Sequence, residues 1–261
     1  MTIDVKEEMR MDRTKKITFT GIMTALVFIA TFVIKIPIPA TEGYIHLGDC
    51  MVFLAALLLG WKYGAFAAGV GSMLADIIGG YAHWALPTLI IKALMAILVA
   101  VAVNLVKTRN KIAFCGLTAL SWTLFITFMR RVLSTGLIGD RENLMVEVGA
   151  ETDAQLTNLA NVSYTVLYVS AFVVIAIAVV LWFYFKKNNK SVDIMYIPGL
   201  IASGLWMVAG YYLASLIMYQ NPVVPIFSIP ANLLQFVAGF VLAMVIYAPL
   251  KKTFDKLTLE S

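Results

Sequence analysis

Between Leu47 and Leu105 the sequence is almost wholly apolar, yet Asp49, Asp76 and Lys92 lie inside that stretch. Apolar runs of roughly 18–25 residues recur along the chain, long enough to cross a bilayer as helices. Hydrocarbon offers the backbone no hydrogen-bond partner, so only helices and closed barrels can span it. Barrel strands alternate apolar and polar positions over about 10 residues, and these runs do not alternate. The fold class expected is therefore an all-α integral membrane protein. Hydrophobic residues make up 61% of the chain and the mean hydropathy is +0.87, well above the roughly 45–50% apolar content of soluble domains.

The embedded charges constrain the fold further. One charge at the centre of a membrane helix costs about 2.5–3.5 kcal/mol. Three unpaired charges would rival the whole stability of a small domain, about 5–15 kcal/mol. Asp49, Asp76 and Lys92 must therefore pair, reach water or hold a ligand.

Eight spans are expected, at 17–36, 46–60, 64–79, 88–106, 112–129, 163–185, 198–218 and 230–250. The second and third are short and joined by Trp61-Lys62-Tyr63, which leaves room only for a tight turn. With an inside N-terminus, only Lys35, Lys92, Arg130, Arg131 and Arg141 of the 20 Lys and Arg fall on the outer side. Positive residues concentrate in cytoplasmic loops, so both termini are expected in the cytoplasm of a cell-membrane protein. The net charge of +5 reflects this asymmetry and points to no nucleic-acid partner. Cys50 and Cys115 lack metal-type spacing and read as core residues. The N-terminus lacks the cleavage pattern of a signal peptide.

The chain divides into a cytoplasmic N-terminal segment (1–16), four core helices (17–107), an accessory helical hairpin (108–190), two further core helices (191–252) and a cytoplasmic tail (253–261). The hairpin carries a polar outer loop at 130–162, with a short surface helix as one option for it. Two small-residue patterns stand out. Gly64, Ala68, Ser72, Asp76 and Gly80 follow at i+4 intervals, and Gly21 and Ala25 form a small-xxx-small pair. Such patterns let helices approach closely; they serve either ordinary packing or the docking of a partner subunit.

Alternating helix directions place nearly every embedded polar group in one leaflet. Lys35 lies at the outer end of the first span, His46 and Asp49 open the second, and Asp76 closes the third beside His83 and Trp84. Lys92 sits within two turns of the start of the fourth span. Tyr211, Tyr212 and Tyr219 occupy the outer half of the seventh span, and Asn232 and Gln235 open the last. Apolar and aromatic walls with a few polar groups make a ligand pocket. Trp84 and the tyrosines can stack on a flat heterocycle, while Asn232 and Gln235 can donate and accept. Asp76 and Lys92 pair with each other or meet ligand charges, and Asn232 with Gln235 either bridge helices or bind ligand. The candidate substrate-binding residues are Asp49, Asp76, His83, Trp84, Lys92, Tyr211, Asn232 and Gln235. No polar path continues through the cytoplasmic half, as a channel or proton-coupled carrier would need. No phosphate-binding Gly-x-x-x-x-Gly-Lys-Ser/Thr loop occurs. Capture at one face, with another subunit supplying the energy, is the reading that remains. No catalytic residue, metal or cofactor is expected.

These residues resemble the S components, or substrate-capture subunits, of energy-coupling factor (ECF) transporters. The similar stretches are 47–60, Ala75-Asp76 to Gly80-Tyr81, 88–92, 210–213, Ile229-Pro230-Ala231-Asn232 and Gln235, together with Gly21 and Ala25. The resemblance implies a six-helix core and an outward pocket for a vitamin or vitamin precursor, with pyridoxine or hydroxymethylpyrimidine the nearest pattern. It also implies an ABC importer, in which an energising transmembrane subunit and two cassette ATPases drive uptake and the first helix docks through Gly21 and Ala25. The hairpin at 108–190 departs from the pattern, in which core helices four and five are joined by a short cytoplasmic loop. Two inserted transmembrane helices preserve the orientation of those that follow.

Two rival readings exist. A stand-alone secondary carrier would need no cassette ATPase. An intramembrane aspartyl protease needs two carboxylates sharing a proton, but Leu47-Gly48-Asp49 lacks the first glycine of the Gly-x-Gly-Asp turn. His46 and Asp49, at i and i+3, are too few to hold a metal, and His83 would have to complete the site from a loop; an interfacial hydrogen-bond role is expected instead.

Overall fold

A computed structural model describes residues 12–38, 43–107, 111–139, 141–187 and 197–259. Most of the N-terminal segment, Arg109, the junction at 188–196 and the last two residues lie outside the described residues. Among the described residues the fold is all-helical apart from one small hairpin. Among the described residues seven helices are long and apolar enough to cross a membrane.

Helix α1 (Arg13–Phe32) opens on Asp12, whose side chain accepts a hydrogen bond from the Lys15 N–H at 2.7 Å. This satisfies one of the amides that a helix start leaves unpaired. Only Thr20, Met23, Val27 and Thr31 of α1 are buried. That narrow stripe faces the bundle and leaves the rest of the surface to lipid. The first span was expected to run to residue 36, but α1 stops at Phe32. Proline disfavours helix in the residue before it, and Pro37 instead sits in strand β1 (Ile36–Ile38). This strand pairs antiparallel with β2 (Gly43–Ile45), Pro37 lying opposite Tyr44.

Helix α2 (Asp49–Ile78) contains the second and third expected spans. It is interrupted at one residue, Gly60, whose φ of 74° and ψ of −170° are not helical. That region is essentially reserved for glycine. Here the chain folds back: a Cβ on Gly64 would lie 2.8 Å from the Ala55 carbonyl oxygen. The turn is therefore Gly60 alone, and Trp61-Lys62-Tyr63 already belongs to the second limb. The two limbs bring Asp49 and Asp76 to the same end of the bundle. Their small residues let the neighbouring helices close in. A Cβ on Gly71 would be 2.6 Å from the Thr24 carbonyl oxygen of α1. Ser72 and Ala68 are fully buried, so this stripe serves packing within the chain.

A short turn (Ala82–Trp84) leads into α3 (Ala85–Lys107). Helix α4 (Lys111–Gly139) packs mainly on α6 (Asp153–Lys187), with the short α5 (Arg141–Val148) between them. The polar stretch 130–162, expected to be an outer loop, is thus mostly helix. Two end signals explain it. Gly149, at φ 69°, lets the Ala150 N–H reach back to the Met145 carbonyl at 2.8 Å and close α5. Thr152 and Gln155 exchange side-chain and backbone hydrogen bonds, both at 3.3 Å, a capping box that opens α6. Helix α7 (Ile197–Tyr219), a turn (Val224–Ser228) and α8 (Ile229–Leu259) complete the chain. Ile22, Leu117, Phe172, Leu234 and Val245 are exposed on the outside of the bundle, as expected for surface that meets hydrocarbon rather than water.

Candidate ligand-binding pocket

At the end of the bundle where both limbs of α2 terminate, seven segments converge on one pocket. It is lined by Gly43, Tyr44, His46, Asp76, Trp84, Thr88, Tyr211, Ser215, Ser228, Asn232 and Gln235. The void enclosed by these residues is about 30 Å³, and about 430 Å³ when the open mouth is counted. Helical spacing supplies three of the pairs: Thr88 lies one turn before Lys92, Tyr211 one turn before Ser215, and Ser228 one turn before Asn232.

The floor is a closed polar network. The Lys92 ammonium is paired with Oδ1 of Asp49, and both side chains are fully buried. Gln235 Nε2 donates to the other Asp49 oxygen at 2.9 Å, and Gln235 Oε1 accepts from the His46 backbone N–H at 3.0 Å. The Lys92 Nζ also lies 3.3 Å from the Met207 sulfur and 5.3 Å from the centre of the Tyr211 ring. This corrects the expected alternative of an Asp76–Lys92 pair: the lysine reaches the first limb of α2. Nor do the two aspartates share a proton, since each has its own partners.

His46 is buried just ahead of α2, and its Nδ1 accepts the Gly48 N–H at 2.9 Å. Burial, reinforced by the Lys92 charge, pushes its imidazole from 6.5 down to about 3. The ring is therefore neutral at pH 7 and carries its hydrogen on Nε2.

The walls are aromatic. Trp84 meets Tyr211 edge-on at 5.7 Å, and Tyr44 lies 4.5 Å from Tyr81. The Tyr44 hydroxyl donates to Asp76 Oδ1 at 2.6 Å. Burial and the adjacent Asp76 raise the Tyr44 phenol far above its ordinary value, so it stays protonated. Thr88 and Tyr211 share a hydrogen bond of 3.2 Å. Two polar atoms of lining residues are buried without a partner, Asp76 Oδ2 and Trp84 Nε1. The Asn232 amide has one long contact, 3.5 Å to Ser228 Oγ.

Of the residues singled out in the sequence, His46, Asp76, Trp84, Tyr211, Asn232 and Gln235 line the pocket. Asp49 and Lys92 lie in the floor beneath it. His83 does not line it: its side chain is exposed and its ring lies 6.0 Å from Trp84. Tyr212 points toward α4, its ring 5.9 Å from that of Phe125, and donates to the Pro222 carbonyl at 3.1 Å. Lys35 sits over Phe32 and Tyr44, at 4.2 and 5.2 Å from the ring centres. Tyr44, Thr88, Ser215 and Ser228 were not singled out as site residues. The last three were findable one helical turn from residues that were. Tyr44 lies on the hairpin, where no periodicity marked it. Gly21 and Ala25 are exposed on α1, and nothing lies within 4 Å of a Cβ built on Gly21.

Comparison with known proteins agrees with this architecture. The family model described as "ECF-type riboflavin transporter, S component" matches residues 11–182 and 154–252. Among curated proteins, an uncharacterised protein from the gap 3′ region of Pyrococcus woesei is 51% identical over 73 residues, 28% of this chain. The aligned part covers 49% of that protein's length. No solved structure matches the chain. With the family match running through most of the chain, this multi-pass membrane protein belongs to the S-component family of ECF-type riboflavin transporters.

Proposed function

We propose that the chain captures a flat vitamin heterocycle, riboflavin foremost, in the pocket between β2, α2, α3, α7 and α8. The observation that carries this reading is the convergence of aromatic walls with the unpaired polar atoms of Asp76 and Trp84 in one pocket. A buried polar atom left without a partner costs about 1–3 kcal/mol, which a bound ligand can recover. In this reading α1, the two limbs of α2, α3, α7 and α8 are the six core helices, and α4 with α6 is the inserted pair. The pocket opens to the outside, both termini are cytoplasmic, and an energising transmembrane subunit with two cassette ATPases drives import. Gly21 and Ala25 form part of the face that meets the energising subunit, consistent with their exposure on α1.

Mass spectrometry of small molecules retained by the purified protein tests the reading. Retained riboflavin supports it, and pyridoxine or hydroxymethylpyrimidine would reassign the ligand within the same site. Failure to retain or bind any of them after incubation defeats it.

A further inference from the structure

The lining of the pocket is specific about hydrogen-bond polarity. Asp76 is 3% exposed; the Thr88 and Tyr44 hydroxyls both face its carboxyl, Tyr44 donating to Oδ1, while Oδ2 has no hydrogen-bond partner within normal distance. Trp84 is 5% exposed with its indole N–H equally unpartnered. Among the described residues no cation lines the pocket. Lys92 is tied to Asp49 in the floor, and Lys35 lies over the Phe32 and Tyr44 rings. The pocket therefore offers one acceptor that only a donor can satisfy and one donor that only an acceptor can satisfy.

We propose that Asp76 is the specificity residue of this pocket: its Oδ2 accepts a ring N–H of the ligand, while Trp84 Nε1 donates to a carbonyl of the same ring. The ligand class this selects is a heterocycle carrying an N–H beside a carbonyl, an imide-like edge flat enough to lie among Tyr44, Trp84 and Tyr211. Riboflavin has such an edge in its pyrimidinedione ring. The inference rests on the capture reading above and refines it, because it names the atoms that recognise the ligand. A ring nitrogen bearing a methyl group in place of hydrogen would leave Asp76 Oδ2 unpaired and crowd it as well.

A ligand-and-mutant cycle tests this, using riboflavin and N3-methylriboflavin as probes with the purified full chain. Binding is read by quenching of flavin fluorescence. In the wild type, methylation should weaken binding about 10- to 100-fold, the range for a hydrogen bond to a charged group. In Asp76→Ala the two flavins should bind within about threefold of each other, because the acceptor is gone and space for the methyl has opened. Asp76→Asn keeps the shape and removes the charge, so the methylation penalty should shrink to an intermediate value; it serves as the readout if the alanine variant does not fold. An equal penalty in wild type and variants overturns the assignment of Asp76 while leaving riboflavin capture intact. Absence of riboflavin binding to the wild type overturns both.

Discussion

Asp49 and Lys92 stand 43 residues apart in sequence and form an ion pair with no solvent exposure beneath the pocket. They open the first limb of α2 and lie two turns into α3, so the pair fixes how these helices meet. Gln235 ties α8 to the same carboxylate.

Removing one member should be far worse than removing both. A lone buried charge costs about 3–5 kcal/mol, while a buried pair replaced by apolar residues of similar volume is often neutral. Asp49→Leu and Lys92→Met should each lower the thermal stability of the purified protein by that order. The double variant should recover most of the loss. Equal and additive losses would show that the two residues do not act as a pair.

Stability should also fall on the acid side through His46. Its imidazole is held at about 3 in the folded chain against 6.5 when exposed. Between those values the unfolded chain binds the extra proton, so stability is fully present above pH 6.5 and declines as pH falls. The slope contributed by one such group approaches about 1.4 kcal/mol per pH unit. His46→Asn keeps an acceptor for the Gly48 N–H without a titrating ring. Melting curves at pH 7, 6 and 5 should fall less steeply for this variant. Parallel declines would show that His46 is not the group responsible.

Gly21→Leu and Ala25→Leu place bulk on an exposed part of α1, away from the pocket. Both variants should retain ligand binding and wild-type stability, yet lose most ATP-dependent uptake in cells carrying the coupling subunits. Normal uptake in both would remove α1 as the docking face.

Much of this architecture was legible because bilayer physics leaves few options. The lengths of the apolar runs and the clustering of polar residues at alternate helix ends placed Asp76, Trp84, Tyr211, Asn232 and Gln235 at one end, and the structure joins them in one pocket. The partner of Lys92 was not legible. Asp49 and Asp76 lie at the same level because α2 doubles back, and which one Lys92 reaches depends on how α3 is rotated against α2, where Gly69 packs closely on Leu89 and Ala93. The fold-back at Gly60 was expected, but as a three-residue turn. Only the positive φ reveals that one glycine performs it. The length of α4 and α6 was missed because polarity was read as loop, although Thr152 and Gln155 carry the capping pattern in the sequence.

Capture at this site is tested by riboflavin titration of the purified chain beside Ser215→Trp, which places an indole in the pocket from α7. Saturable one-to-one quenching of flavin fluorescence is expected in the wild type, and its loss in the variant. Undiminished binding by a folded Ser215→Trp protein, or none by the wild type, would contradict capture at this site.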